Sequence, residues 1–391
     1  ISPENSEQLE RLLNVAWNDM TTTIGAARGI SPAKLKRMAY DLSLRTAEDA
    51  VEAGMIDGLK YPDEVEAFYR ETLELEADDE LPMLSVSQYV KAISGNTMSE
   101  KVAVVFANGG IQMGKGDQET IGAETMKRTL RKLRRDENVK AVVLRINSPG
   151  GSALASDIIA RELELLKAEK PVIASMGNLA ASGGYYIAAP CDYIFAEPTT
   201  VTGSIGVFGV LFNAEPFFRR ELAVNIEEVY ADSTPHADMG MGNRPMTALE
   251  LAAIQEAVDD IYEDFLEVVK KGRGFASTEA VHELAQGRVW MGLDALDNKL
   301  VDELGTLDQA IARAATDAGL SSYRTVLFPK VQSPIEALLE DLKKSASVEQ
   351  AFLQERHLPP GTRQAVYTAQ AMMRHPNHVW ALPSFFSLDI R

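Results

Sequence analysis

The sequence has little cysteine, little histidine and no long apolar run. A single cysteine, Cys191, among 391 residues excludes an internal disulfide, so cysteine usage does not report the redox compartment. No apolar stretch reaches the roughly 18 residues that a membrane-spanning helix needs. The chain opens on Ile1 with neither Met nor a signal-peptide pattern, so we expect a processed or partial chain whose anchor would lie upstream. The five histidines, His236, His282, His357, His375 and His378, stand in no recognisable motif, which leaves a Ser-His-Asp triad unsupported. No His/Cys/carboxylate cluster has metal-ligand spacing, and neither a Walker A motif nor G-x-G-x-x-G occurs. Positive charge is also scarce. With 39 Lys and Arg against 57 Asp and Glu, the net charge of −18 excludes a duplex nucleic-acid partner and argues against adhesion to anionic lipid.

What is present is a globular composition, 46% apolar and 25% charged, with length for two or three domains. An internal repeat runs at one offset of 245 residues. Arg28-Gly29 falls on Arg273-Gly274, Asp49-Ala50 on Asp294-Ala295, Asp57 on Asp302, and Asp19, Leu59 and Asp63 on Asp264, Leu304 and Asp308. Apolar positions follow, Leu9 on Ile254, Leu13 on Val258 and Met55-Ile56 on Leu300-Val301. In the second copy this helical stretch follows a strand-rich one, so the chain reads as the helical tail of one repeat followed by a whole repeat. We expect residues 1–70 to be that tail, 71–97 an acidic linker, 98–320 the complete second repeat and 321–391 a C-terminal extension. The extension ends on the apolar stretch Val379–Phe386, which suits packing on a neighbouring subunit or domain.

The second repeat alternates strands and helices, which sets the class as α/β. Lys101–Asn108, Ala141–Asn147, Pro171–Met176 and Tyr193–Ala196 read as buried strands. Glu124–Arg135 and Ala153–Lys167 read as helices. A later helix carries Leu251, Ile254, Val258, Ile261, Phe265 and Val268 at helical spacing, a stripe expected to pack in the core.

Two glycine-bearing turns follow strand ends, where open α/β folds place their sites. In Asn147–Ser152 (NSPGGS), the Gly151 N–H is either an anion donor near a helix start or part of a tight turn. In Ala180–Tyr186 (AASGGYY), Ser182 is either a helix cap or a nucleophile with the free Gly183 N–H beside it. A nucleophilic serine needs a base, and a desolvated, neutral lysine remains the open option.

These strings, NSPGGS (147–152), NLAASGGYYIAA (178–189), TVTGSIGVFG (200–209) and RGFASTEAVHELAQGRVWMGLDALDNKLVDELG (273–305), together resemble protease IV, the SppA-type signal peptide peptidase family in its long, duplicated form. The resemblance spans residues 1–320 and implies a ClpP/crotonase-like fold, a Ser/Lys dyad and no cofactor. It implies Ser182 as nucleophile, Gly183 and Gly151 as the oxyanion hole, and Ser204 as the serine that orients the lysine ammonium. The base lysine would precede Ile1; in the second copy the matching region, Asp232–Arg244, has no lysine, and His236 is a weaker substitute there. The chain alone would then lack its base. The resemblance further implies cleaved signal peptides and other short hydrophobic peptides as partners, with Val207, Phe208 and Val210 as groove or core residues. It implies a tetramer-like ring or bowl of identical subunits on the outer face of the bacterial cytoplasmic membrane. A crotonase-like acyl-CoA enzyme and a non-catalytic peptide-binding or assembly fragment are the alternatives.

Overall fold

Runs of β-branched residues without polar alternation belong inside a sheet covered on both faces, and the computed structural model places them there. It describes residues 1–329 apart from 77–78, 94–97, 118 and 232–233, and these form one unit. The apolar stretch Val379–Phe386, with His357, His375 and His378, lies outside the described residues. Among the described residues, no helix is long and apolar enough to cross a membrane.

The strands are β1 (Lys101–Asn108), β2 (Gly110–Gln112), β3 (Thr120–Gly122), β4 (Val139–Ser148), β5 (Val172–Ala181), β6 (Tyr193–Ala196), β7 (Val201–Gly203), β8 (Val289–Met291), β9 (Glu303–Leu304) and β10 (Arg324–Phe328). The main sheet runs β10-β1-β4-β5-β6-β9, and every neighbouring pair in it is parallel. β7 pairs parallel with the far end of β5, and β8 pairs antiparallel with β7. Because Arg324–Phe328 pairs with β1, the sheet of the second unit extends past residue 320.

Alternation along the strands divides the core in two. Val102, Val104, Val143 and Ile173 point to the helix Leu307–Asp317, meeting Ala310 and Ala314. Ala103, Val105, Val142 and Leu144 point the other way, toward Leu130, Leu133, Ile159 and Leu163 of the helices Ala123–Arg135 and Ala153–Lys167. The class is α/β, a parallel sheet between helical layers.

Helices repeat at the same offset as the sequence. Pro3–Arg28 and Ala248–Arg273 match end for end, as do Ala47–Glu52 with Gly292–Asp297 and Pro62–Thr72 with Leu307–Asp317. Their punctuation matches too. Ser2 and Thr247 cap the long helices at the start, and Gly29 (φ 66°) and Gly274 (φ 70°) end them in the left-handed conformation. Arg28 pairs with Asp57 at 2.8 Å, and their counterparts Arg273 and Asp302 pair at 2.6 Å. The second pair is covered, Arg273 being 6% exposed against 34% for Arg28.

The long helix Ala248–Arg273 departs from the expected core stripe. Its fully buried apolar residues, Phe265, Leu266 and Val269, lie in the C-terminal part, whereas Leu251 and Ile261 are exposed and Ile254, Val258 and Val268 half-buried. The reason is what the helix meets. Its C-terminal end lies against the segment after β5, where Phe265 packs on Tyr186 with tilted rings 4.9 Å apart between centres, while the apolar residues of its N-terminal half stay exposed or half-buried.

At Gly272 the approach is so close that a Cβ would lie 2.1 Å from the Ala189 carbonyl oxygen. The repeat-related residue, Ala27, is exposed. Gly→Ala within a helix ordinarily stabilises by about 0.5–1 kcal/mol. We therefore expect Gly272→Ala to destabilise by about 1–3 kcal/mol through overpacking, read as a lower urea midpoint, and Ala27→Gly to destabilise only by the propensity loss.

Candidate active site

Small residues let β5 run on to Ala181, beyond the expected end at Met176, and deliver Ser182 at the C-terminal edge of the sheet. The helix Gly183–Ala188 starts at once after it, and all six of its residues are buried. Ser182 sits at φ 51°, ψ −121°, a conformation that L-residues avoid. Two backbone bonds hold it: its N–H donates to the Gly203 carbonyl at 2.9 Å, and its carbonyl accepts the Tyr186 N–H at 2.8 Å. Tyr185 locks the helix behind it by donating its hydroxyl to the Leu300 carbonyl at 2.8 Å, and the Tyr186 hydroxyl donates to Asp157 at 3.1 Å. Burial pushes the pKa of both tyrosines up, so both stay protonated donors.

The other glycine turn is pressed against this serine. The Ile111 N–H donates to the Gly150 carbonyl, and the Ser152 N–H donates to the Ile111 carbonyl, both at 2.8 Å. Ser148 Oγ donates to the Gly109 carbonyl at 2.7 Å and accepts the Gly150 N–H at 3.1 Å. With both neighbours of Gly151 bonded to Ile111, the Gly151 N–H is turned the opposite way, toward Gly183. A Cβ on Gly183 would lie 3.3 Å from the Gly151 nitrogen and 2.5 Å from Ser156 Oγ, and a Cβ on Gly150, at φ 95°, would lie 2.5 Å from the Gly183 nitrogen. Neither the Gly151 nor the Gly183 N–H has an acceptor among the described residues. Two unused donors thus converge beside a strained serine.

Ser204 follows β7, and the pairing of Ala181 with Gly203 sets Ser182 and Ser204 at adjacent strand ends. It too has positive φ, 49°, and its N–H donates to the Arg288 carbonyl at 2.7 Å. The structure therefore brings Ser182, Gly183, Gly151 and Ser204 together. Among the described residues, no basic side chain is hydrogen-bonded to Ser182 or Ser204. No lysine occurs between Lys170 and Lys270, and Lys170 itself donates to the Leu133 and Asp136 carbonyls before β4 and β5 begin. Cys191 is no alternative nucleophile, because burial pushes its thiol up to about 12.

Sequence reasoning missed Ile111, whose backbone braces the NSPGG turn; the adjacent Gly109-Gly110 pair was the available signal. Of the proposed groove residues, Phe208 and Val210 are 85% and 80% exposed and Val207 is half-buried, so the core explanation fails for the first two. They begin a segment whose apolar side chains stay largely in solvent, including Phe212, Phe217 and Val229.

His236 is held elsewhere. Its Nδ1 lies 2.8 Å from Glu250, a buried carboxylate that also receives Arg244 at 2.7 Å. Arg244 bridges onward to Asp238 at 2.6 Å and Glu228 at 3.3 Å. Hydrogen bonds from Arg244 and from the Thr247 N–H hold the Glu250 carboxyl far below the usual range. This cluster ties the segment before the long helix to its first turn. No metal-binding cluster of His, Cys, Asp and Glu occurs among the described residues.

A parallel sheet with a strained serine at a strand end, facing paired backbone donors, defines a ClpP-like α/β protein with a serine-centred site. The sequence profile of peptidase family S49 matches residues 164–321. "Protease 4" of Haemophilus influenzae is 34% identical over 372 residues, covering 88% of this chain and 58% of that protein. "Serine protease SPPA, chloroplastic" of Arabidopsis thaliana is 33% identical, covering 86% of this chain and 50% of that protein. "Putative protease slr0021" of Synechocystis sp. is 38% identical over 209 residues, 53% of this chain and 74% of that protein. The chain belongs to peptidase family S49. It spans little more than half the length of the Protease 4 and SPPA relatives.

Two outcomes test this geometry. Ser182→Gly removes the conformational conflict and is expected to raise stability by about 1 kcal/mol in urea unfolding, since such strain costs about 1–3 kcal/mol. The lowered Glu250 pKa contributes stability that is complete above its unfolded value and is lost as pH falls toward the folded one. The stability gap between wild type and Arg244→Ala is therefore expected to stay constant from pH 8 to pH 6 and to narrow below about pH 4.

Proposed function

We propose that this chain carries the nucleophile of a serine peptidase with a Ser/Lys dyad, acting on cleaved signal peptides and other short hydrophobic peptides. The observation that carries the reading is the strained Ser182 beside two N–H groups without acceptors. Ser182 Oγ attacks the scissile carbonyl while a neutral lysine takes its proton. The Gly151 and Gly183 N–H groups receive the negative charge that develops on the carbonyl oxygen. The lysine then protonates the leaving amine, and water hydrolyses the acyl-enzyme with the same lysine as base. Ser204, at the neighbouring strand end, accepts a hydrogen bond from the ammonium and orients it.

The base comes from the first repeat, upstream of Ile1; the matched offset of the helices and the empty lysine record around Ser182 support this. On this reading residues 1–391 alone are inactive, and the complete molecule is a homo-oligomeric ring or bowl on the outer face of a bacterial cytoplasmic membrane. An acyl-CoA enzyme would use the paired N–H groups but has no need of a serine held at positive φ. A non-catalytic role would leave the same strain without purpose.

The test is hydrolysis of a leucine-rich fluorogenic peptide by residues 1–391 and by an N-terminally completed chain. Activity in the completed chain only, abolished by Ser182→Ala, is the expected result; activity in residues 1–391 would refute the missing base. In the completed chain Gly183→Ala is expected to lower kcat by roughly 10²-fold or more with little change in KM, since its methyl group would enter the space beside Ser156 and Gly151.

A further inference from the structure

The charge of this acidic chain is unevenly distributed. The helix Ala123–Arg135 carries six cations, Lys127, Arg128, Arg131, Lys132, Arg134 and Arg135, against one carboxylate, Glu124. Its other face is core, with Met126, Leu130 and Leu133 buried under the sheet, so all the charge stands on the outward side. Arg131 is matched by Glu162 at 2.6 Å and Arg134 by Glu169 at 3.7 Å. Lys127, Arg128, Lys132 and Arg135 have no ion-paired carboxylate among the described residues and line one shallow groove with Arg131, Glu124 and Asp136, five cations against two carboxylates. Within the helix these cations stand three and four residues apart, at Arg128 and Lys132 or Lys132 and Arg135, a spacing at which like charges repel. A helix that leaves four of its six cations without an ion-paired carboxylate suits an anionic surface from outside the chain.

We propose that this face docks on anionic phospholipid headgroups. The helix spans about 20 Å and presents its unmatched cations along one open, solvent-facing side, which suits an extended array of phosphates. It carries no aromatic side chain on which a nucleic-acid base could stack. The net charge of −18, which argues against adhesion of the chain as a whole to anionic lipid, does not govern this one face, because at physiological ionic strength charges more than about 8 Å away are largely screened. The inference extends the membrane location proposed above and is independent of the chemistry at Ser182. It gives the domain a second, reversible hold on the bilayer beside any covalent anchor.

Sedimentation of residues 1–391 with vesicles tests it. Binding is expected to vesicles of phosphatidylcholine with roughly 30% phosphatidylglycerol, not to phosphatidylcholine alone, and to be released by salt at about 0.5 M. The quadruple variant Lys127→Gln, Arg128→Gln, Lys132→Gln, Arg135→Gln is expected to lose partitioning by at least tenfold, each headgroup contact being worth roughly fivefold. Arg128→Lys with Arg135→Lys keeps the charge and is expected to bind as wild type, with circular dichroism confirming that both variants fold. Equal binding by the glutamine variant, binding indifferent to phosphatidylglycerol, or no binding by wild type overturns the proposal. Stronger retention on single-stranded RNA than on vesicles overturns it in favour of a nucleic acid. Peptide hydrolysis by the completed chain in detergent is expected to be unchanged by the glutamine variant, which separates this outcome from failure of the catalytic reading.

Discussion

The structure around the C-terminal edge of the sheet depends on one backbone constraint, the positive φ of Ser182. A serine in that conformation has no local reason to stay there, so its surroundings must hold it. β5 holds it from one side by parallel pairing with β7, and a fully buried helix holds it from the other. The tyrosine hydroxyls of that helix are anchored to the Leu300 carbonyl and to Asp157, groups far away in sequence. The same crowding explains the glycines: Gly150 and Gly183 are where two backbones approach too closely for a Cβ. Strain, glycine content and unused N–H groups are thus three aspects of one packing arrangement.

Much of the fold was legible in the sequence. The helix Ala153–Lys167 and the strands Lys101–Asn108 and Tyr193–Ala196 lie where periodicity put them, because burial on both faces leaves a strong pattern. The extension of β5 to Ala181 was not legible, since alanine and glycine carry almost no strand signal and only pairing with β7 makes them extended. Nor was the partial exposure of the helix Ala248–Arg273: an apolar stripe reports amphipathicity without saying what covers it.

The candidate site shows the same division. Ser182, Gly183, Gly151 and Ser204 could be named from strings of residues, but their residue types alone left a tight turn an even alternative at Gly151 and a helix cap the ordinary reading of Ser182. What distinguishes them in space, the left-handed φ of Ser182 and the outward turn of the Gly151 N–H, arises from contacts between distant segments. Ile111 was signalled only by its neighbours, Gly109 and Gly110. It acts through its backbone, so its side chain gives no sign of the role.

The duplicated ion pairs carry a consequence of their own. Arg28 with Asp57, and Arg273 with Asp302, are the same bond at nearly the same length placed in two different media. The first faces water, where screening makes such a pair worth little. The second lies under Tyr185 and Cys191, where Arg273 without Asp302 would be a charge stranded away from solvent. Equal ancestry has therefore left unequal mutational latitude: position 57 is free to drift, whereas position 302 can change only together with position 273. Duplication copied the bond but not its surroundings, and the surroundings decide which copy is dispensable.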